Sequence, residues 1–237
     1  IEDGTTASDY DEEENRRKLS LYTSVLPLEY RDHKINVLDA PGYTDFIGEM
    51  ISALSVADGA VILVDAVGGV EVGTELAWRT AVEMDLPRFI VINRMDRDNA
   101  SFSRTFEAIE QFVHLSSGRL VQVQMPIGEK HDFKGVVDLV SMKAYMADGK
   151  IVTDIPADMK DAAAEAHFAL VEAAAEGEDT LLEKYLEQGS LSNEELIRGL
   201  KDVVQSGAFV PVFVAAGGHE IGIASLLNAI VDLMPSP

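Results

Sequence analysis

The chain repeats one local pattern: an apolar run, a polar turn, then apolar residues at helical spacing. KINVLDA (34–40) leads into TDFIGEMISALSVA, DGAVILVDA (58–66) into GTELAWRTAVEMD, PRFIVINRMD (87–96) into SFSRTFEAIEQFV, and FVPVFVAA (209–216) into GIASLLNAIVDLM. A short continuous apolar run is typical of a strand in a sheet covered on both faces. Apolar recurrence every three or four residues marks one face of a helix. Strands and helices in strict alternation have few solutions, because parallel strands need crossovers and the crossovers are helices. The pattern predicts an α/β fold with a doubly wound, mostly parallel sheet. LYTSVLPLEY (21–30), followed by RDH and KINVLDA, reads instead as a β-hairpin.

Around residue 119 the rhythm changes. LVQVQMPIG, GVVDLVSMKAYM and KIVTDI are short strands set close together, and two helical stretches follow, over 157–187 and 192–205. Their outward positions carry Asp158, Asp161, Glu165, Glu172, Glu176, Glu183, Glu187, Glu194 and Glu195 with few bases between. The division expected is a sheet domain over 1–118 and 206–237, interrupted by an acidic α/β subdomain over 119–205. With no base or phosphate contact predicted in it, the subdomain reads as dispensable for the core sheet. The opening IEDGTTASDYDEEEN is acidic and polar, offers nothing that caps or leads into a core element, and reads as part of a fragment.

Bulk properties remove several classes of function. A net charge of −22 repels phosphate backbones, which excludes direct binding of bare nucleic acid. The absence of cysteine excludes a disulfide framework and a thiolate metal site, and fits the cytoplasm. No apolar run approaches the roughly 20 residues of a membrane span.

In a parallel α/β sheet, ligands collect at the carboxyl ends of the strands. Three apolar runs end there in polar sets: DAPG at 39–42, NRMD at 93–96 and AAGG at 215–218. Asp39, ending one strand, can hold a magnesium-bound water. The Gly42 N–H can contact a terminal phosphate, since a Cβ would block close approach. Asp96 can accept two hydrogen bonds from the N1–H and N2–H₂ edge of guanine, a pair of donors adenine lacks. Asn93 can tie the loop together and reach N7, and Arg94 can lay a flat guanidinium along base or ribose.

DAPGYTDF together with INRMD resembles the third and fourth guanine-nucleotide motifs of translation-factor GTPases. SDYDEEENRRKLSL resembles the first switch of the elongation factor G type, and MPIGEKHDFKGVVDLVSMKAY the start of its inserted subdomain. VPVFVAAGGHEIGIASLLNAIVDLMPSP is similar to its closing strand, last helix and exit linker, so the resemblance runs over essentially the whole chain. It implies a P-loop GTPase fold, GTP and GDP as ligands, Mg²⁺ as cofactor, and hydrolysis of GTP to GDP and phosphate. The full-length factor would work on the ribosome and meet its stalk proteins, in the cytoplasm, as a monomer. Carried over by position, Asp39, Ala40, Pro41 and Gly42 would form the phosphate-side motif, with Asp39 orienting the magnesium shell. Ser20 would ligate magnesium where the family has a threonine. Asn93, Arg94, Met95 and Asp96 would form the base motif, with Arg94 in place of a lysine. Ala216 and Gly217 fall where the family has Ser-Ala contacting the guanine oxygen, work that a backbone N–H can do.

The departures matter as much. Tyr43 stands where the family has the histidine that positions the attacking water, and a phenol stays neutral at pH 7. Lys18 replaces a glycine. No G-x-x-x-x-G-K-[ST] occurs; the near miss from Gly217 to Gly222 continues Ile-Ala and reads as the loop before the last helix. In the family that phosphate loop lies upstream of the switch segment. A protection- or release-factor GTPase, and a ribosome-binding paralogue that uses GTP as a latch with weak hydrolysis, remain alternatives. Tyr43 is the feature that favours the latch.

Overall fold

The computed structural model describes residues 6–115, 118–147 and 152–237. Its centre is a parallel sheet of β3 (Ala60–Asp65), β4 (Arg88–Asn93), β10 (Val210–Val214) and β5 (Leu120–Gln122), in that spatial order. β1 (Ser24–Tyr30) and β2 (His33–Asp39) form the antiparallel hairpin, in a register that sets Ser24 opposite Asp39. A second sheet, β6 (Gln124–Ile127), β7 (Gly135–Asp138), β8 (Lys143–Met146) and β9 (Val152–Thr153), is an antiparallel meander. The α/β fold with a mostly parallel sheet is therefore as the alternation predicts. Lys150 and Ile151, at the start of the expected strand KIVTDI, lie outside the described residues.

Helices cover both faces of β4 and β10. Side chains alternate across a strand, so Ile90 and Ile92 pack with Trp78, Ile109 and Val113 of α3 (Val72–Glu83) and α4 (Phe102–Leu115). Phe89 and Val91 face the other way, into a cluster with Phe213 and Leu233, the latter on α8 (Ile223–Leu233). All five residues of β10 are buried, as a two-sided strand requires. β3 departs from that expectation. It lies at an edge of the sheet, and its alternate residues Val61 and Leu63 are 39% and 60% exposed.

The main sheet extends past the expected division at 119. Leu120–Gln122 pair with Val210–Val212 in the main sheet, so a division at 119 would remove one of its strands. The helical stretch 157–187 is two helices, α5 (Lys160–Ala175) and α6 (Asp179–Gln188), and α7 (Asn193–Gln205) packs on the first. Glycine makes that approach possible. A Cβ on Gly199 would stand 2.3 Å from the Ala174 carbonyl oxygen, and one on Gly177 would stand 2.7 Å from that of Gly199. Leu170, Leu196, Leu200 and Val203 from these helices share one core with Phe89, Val91 and Phe213 of the main sheet. Buried Gln124 adds a polar tie, donating to Ser225 Oγ at 2.6 Å and accepting the Val214 N–H at 3.0 Å. The acidic segment thus roofs one face of the sheet and shares its core.

From Thr6 on, the N-terminal acidic stretch carries more structure than its composition suggests. Asp11 caps α1 (Glu12–Arg17) in a reciprocal capping box with Glu14. Glu14 is 1% exposed, and its Oε1 accepts the Leu21 and Tyr22 N–H groups at 2.9 and 3.1 Å. Carboxylates here do the work that apolar contacts do elsewhere.

Excising 124–205 would uncover Phe89, Val91 and Phe213, and each large apolar side chain exposed forfeits about 1.5–3 kcal/mol. The shortened protein is expected to lose its cooperative thermal transition in calorimetry. A sharp transition within a few degrees of the parent's would contradict the shared core.

Candidate functional site

The carboxyl ends of β4 and β10 are neighbours because the two strands pair in parallel, Val214 beside Ile92. Beyond them the chain forms a cross-linked edge. The Ala215 N–H donates to the Ile92 carbonyl at 2.9 Å, and the Met95 N–H to the Ala215 carbonyl at 3.3 Å. Asn93 Oδ1 accepts the Gly217 N–H at 3.0 Å, tying NRMD to AAGG across 124 positions of chain. Met95 is fully buried and anchors the motif from below. Arg94 has φ +62°, in the left-handed region, and this reverses the chain between a strand and a buried anchor. Asp96 is left at the surface of this edge, its Oδ2 3.5 Å from His219 Nε2.

Asp65 completes the edge from β3, in register with Asn93. Its carboxylate accepts the Val67 N–H at 2.7 Å, the Gly68 N–H at 3.3 Å and Arg94 Nη1 at 2.8 Å. Burial pushes its pKa up, but the Val67 N–H, Arg94 and the Gly68 N–H together outweigh that and hold it below the ordinary aspartate value.

The Ala216 N–H donates to the Ile221 carbonyl at 3.0 Å, and the Gly217 N–H to Asn93 Oδ1. Ala216 and Ile221 bridge, and Gly222 takes φ +82°, where a Cβ would stand 2.2 Å from the Val214 carbonyl oxygen. The stretch Gly217–Gly222 is the turn into α8, as its sequence suggests.

The second set of candidates lies at the end of β2. Asp39 stands opposite Ser24, whose hydroxyl donates to the Ser8 carbonyl at 2.5 Å. The next residue, Asp9, accepts the Ser20 hydroxyl at 2.7 Å and the Thr6 hydroxyl at 2.8 Å. Ser24, opposite Asp39, thereby holds the Ser8–Asp9 stretch, and through it Ser20, near that end of the hairpin. Ala40 and Pro41 carry the chain to Gly42, around which nothing lies within 4 Å of an added Cβ. The Gly42 carbonyl oxygen would be 3.0 Å from a Cβ on Gly73, at the start of α3. Tyr43 leads a short 3₁₀ turn, Thr44–Phe46, and is 60% exposed, so core packing does not hold its ring.

Two participants escape a reading of motifs. Asp65 ends an apolar strand just as Asp39 does, and that position was the available signal. Asp9 sits in an acidic run with nothing to distinguish it from its neighbours.

A parallel α/β sheet whose ligand edge gathers Asn93, Asp96 and a backbone loop from the last strand has the architecture of the P-loop GTPase class. The chain matches, over residues 1–236, the family described as the elongation factor Tu GTP binding domain, and it belongs to that family. It is the GTP-binding domain of a translational GTPase. A crystal structure of a protein from Thermus thermophilus superimposes with a TM-score of 0.89 at 34% identity, over 99% of this chain and 35% of that one. The chain thus spans about a third of that relative's length.

The Asn93–Gly217 bond is a partly exposed side chain-to-backbone link, of a kind that contributes about 0.5–1.5 kcal/mol. Asn93→Ala is expected to speed hydrogen–deuterium exchange at the Gly217 amide several-fold while leaving exchange within β5 unchanged. Unaltered exchange at Gly217 would show that the two loops are held by other contacts.

Proposed function

We propose that this domain belongs to an elongation factor G-like translation factor that hydrolyses GTP to GDP and phosphate in a ribosome-dependent cycle. The observation that carries the reading is the meeting of Asn93, Asp96 and the Ala216–Gly217 backbone at one sheet edge, in a chain of this family. Asp96 accepts from the guanine N1–H and N2–H₂ groups. Asn93 already uses Oδ1 on Gly217, and its amide NH₂ is the part that reaches the base N7. Arg94 lies along the base, Met95 supports it from the core, and Ala216 and Gly217 form the backbone wall that holds Asn93 in place.

At the phosphate side, Gly42 contacts the γ-phosphate through its N–H. Asp39 orients the water shell of Mg²⁺, and Ser20 supplies a hydroxyl by exchanging its bond to Asp9 for the ion. Magnesium supplies charge neutralisation of the phosphate oxygens when bound. Among the described residues no group of three or more His, Cys, Asp or Glu could hold a metal. That suits an ion shared with nucleotide phosphates, as magnesium usually is. No G-x-x-x-x-G-K-[ST] phosphate motif occurs in these 237 residues. The ribosome and its stalk proteins are the partners in this reading, and the cytoplasm is the setting.

Tyr43 favours a second reading, a latch that holds GTP and hydrolyses it weakly. A neutral phenol can position water but cannot carry charge toward the developing anion, and a well-placed acid–base group contributes roughly 10²–10⁴ in rate. In the full-length protein, Tyr43→His is expected to raise ribosome-stimulated turnover by about tenfold or more, with GTP affinity little changed. Tyr43→Phe is expected to slow it. If neither variant changes turnover while both lower the melting temperature, Tyr43 serves structure alone.

A further inference from the structure

The last residue of β3, Asp65, contributes a carboxylate that neither the base site nor the phosphate side uses. Asp65 is fixed in two directions. Oδ1 accepts the Val67 and Gly68 N–H groups, which sets the plane of the carboxylate through a local turn. Oδ2 then points across the sheet edge to Arg94 Nη1 at 2.8 Å. The left-handed backbone at Arg94, φ +62°, fixes where that side chain leaves the chain. A guanidinium is planar, so bonding one edge to an oriented carboxylate also orients its face. The guanidinium is 61% exposed and the carboxylate 28%, so the pair adds little to stability, and its effect lies in orientation.

A competing arrangement is close at hand. Asp96 lies two residues beyond Arg94 and carries the carboxylate assigned to guanine, whose Oδ2 stands 3.5 Å from His219 Nε2. A guanidinium released from Asp65 could fold onto Asp96 and occupy the oxygens that the base requires. We propose that Asp65 is a positioning residue for guanine-nucleotide recognition, holding Arg94 flat beside the base site and off Asp96. This rests on the assignment of Asn93–Asp96 as the base site, and it acts wholly through Arg94.

The test is a double-mutant cycle in the full-length protein, read as dissociation constants for a fluorescent GDP analogue with D65N, R94A and the double variant. D65N keeps Oδ1 to accept from Val67 and Gly68 while removing the charge that holds Arg94. It is expected to weaken binding about three- to tenfold in the parent and to cost nothing further on the R94A background. Thermal melts within a few degrees of the parent would accompany that result. Equal loss on both backgrounds would mean that Asp65 only supports the loop, and no loss in the parent would mean that it does nothing for the site; either overturns the inference while the base site stands. An unmutated protein that fails to bind GDP overturns the base site itself, and the inference with it.

Discussion

Parallel pairing of β4 with β10 is the constraint on which the rest of the structure depends. It sets Val214 beside Ile92 and so delivers two loops, more than a hundred positions apart in sequence, to one edge of the sheet. Every interaction at the candidate base site follows from that register: Asn93 reaching Gly217, Met95 donating to Ala215, and Asp96 standing near His219. Shifting a strand by one residue would turn its side chains to the opposite face, exchanging Phe89 and Val91 for Ile90 and Ile92 against the wrong helices. The register is therefore held by burial on both faces, and the site inherits its geometry from the core.

The same two strands share their core with the acidic segment. Phe89, Val91 and Phe213 need a cover, and α5 and α7 provide it through Leu170, Leu196 and Leu200. Their acidic side chains Asp161, Glu165, Glu172 and Glu194 are exposed, while the apolar faces complete the sheet's second layer. Gln124 sits where the two sheets meet, with both amide functions satisfied, and so fixes the antiparallel meander to β10 and α8. Stability and site placement thus come from one packed unit.

Much of this was legible in the residues, for identifiable reasons. β4 and β10 are short apolar runs that stay buried on both faces, and their polar ends are visible because Asn93 and Ala216-Gly217 break the runs. What was illegible depended on contacts distant in sequence. Three residues, Leu120–Gln122, are too few to show a period that would assign them to the main sheet over the meander. DGAVILVDA reads as a covered strand, yet its place at the edge leaves Val61 and Leu63 exposed, because position in a sheet is set by partners and not by composition. Glu14 is an acid in an acidic run, and nothing local distinguishes it as the buried one that holds Leu21 and Tyr22. Nor does the residue pattern show that the Ala216 N–H closes the turn into α8 on Ile221, or that the Gly217 N–H meets Asn93.

The central claim is that this strand-end edge reads guanine. Isothermal titration of the full-length protein with GDP and with ADP, in the same magnesium buffer, tests it most directly. Asp96 offers two acceptors matched to the donors of guanine and mismatched to adenine, so GDP is expected to bind at least about a hundredfold more tightly. Equal affinity for the two nucleotides, or binding of neither, would contradict the account.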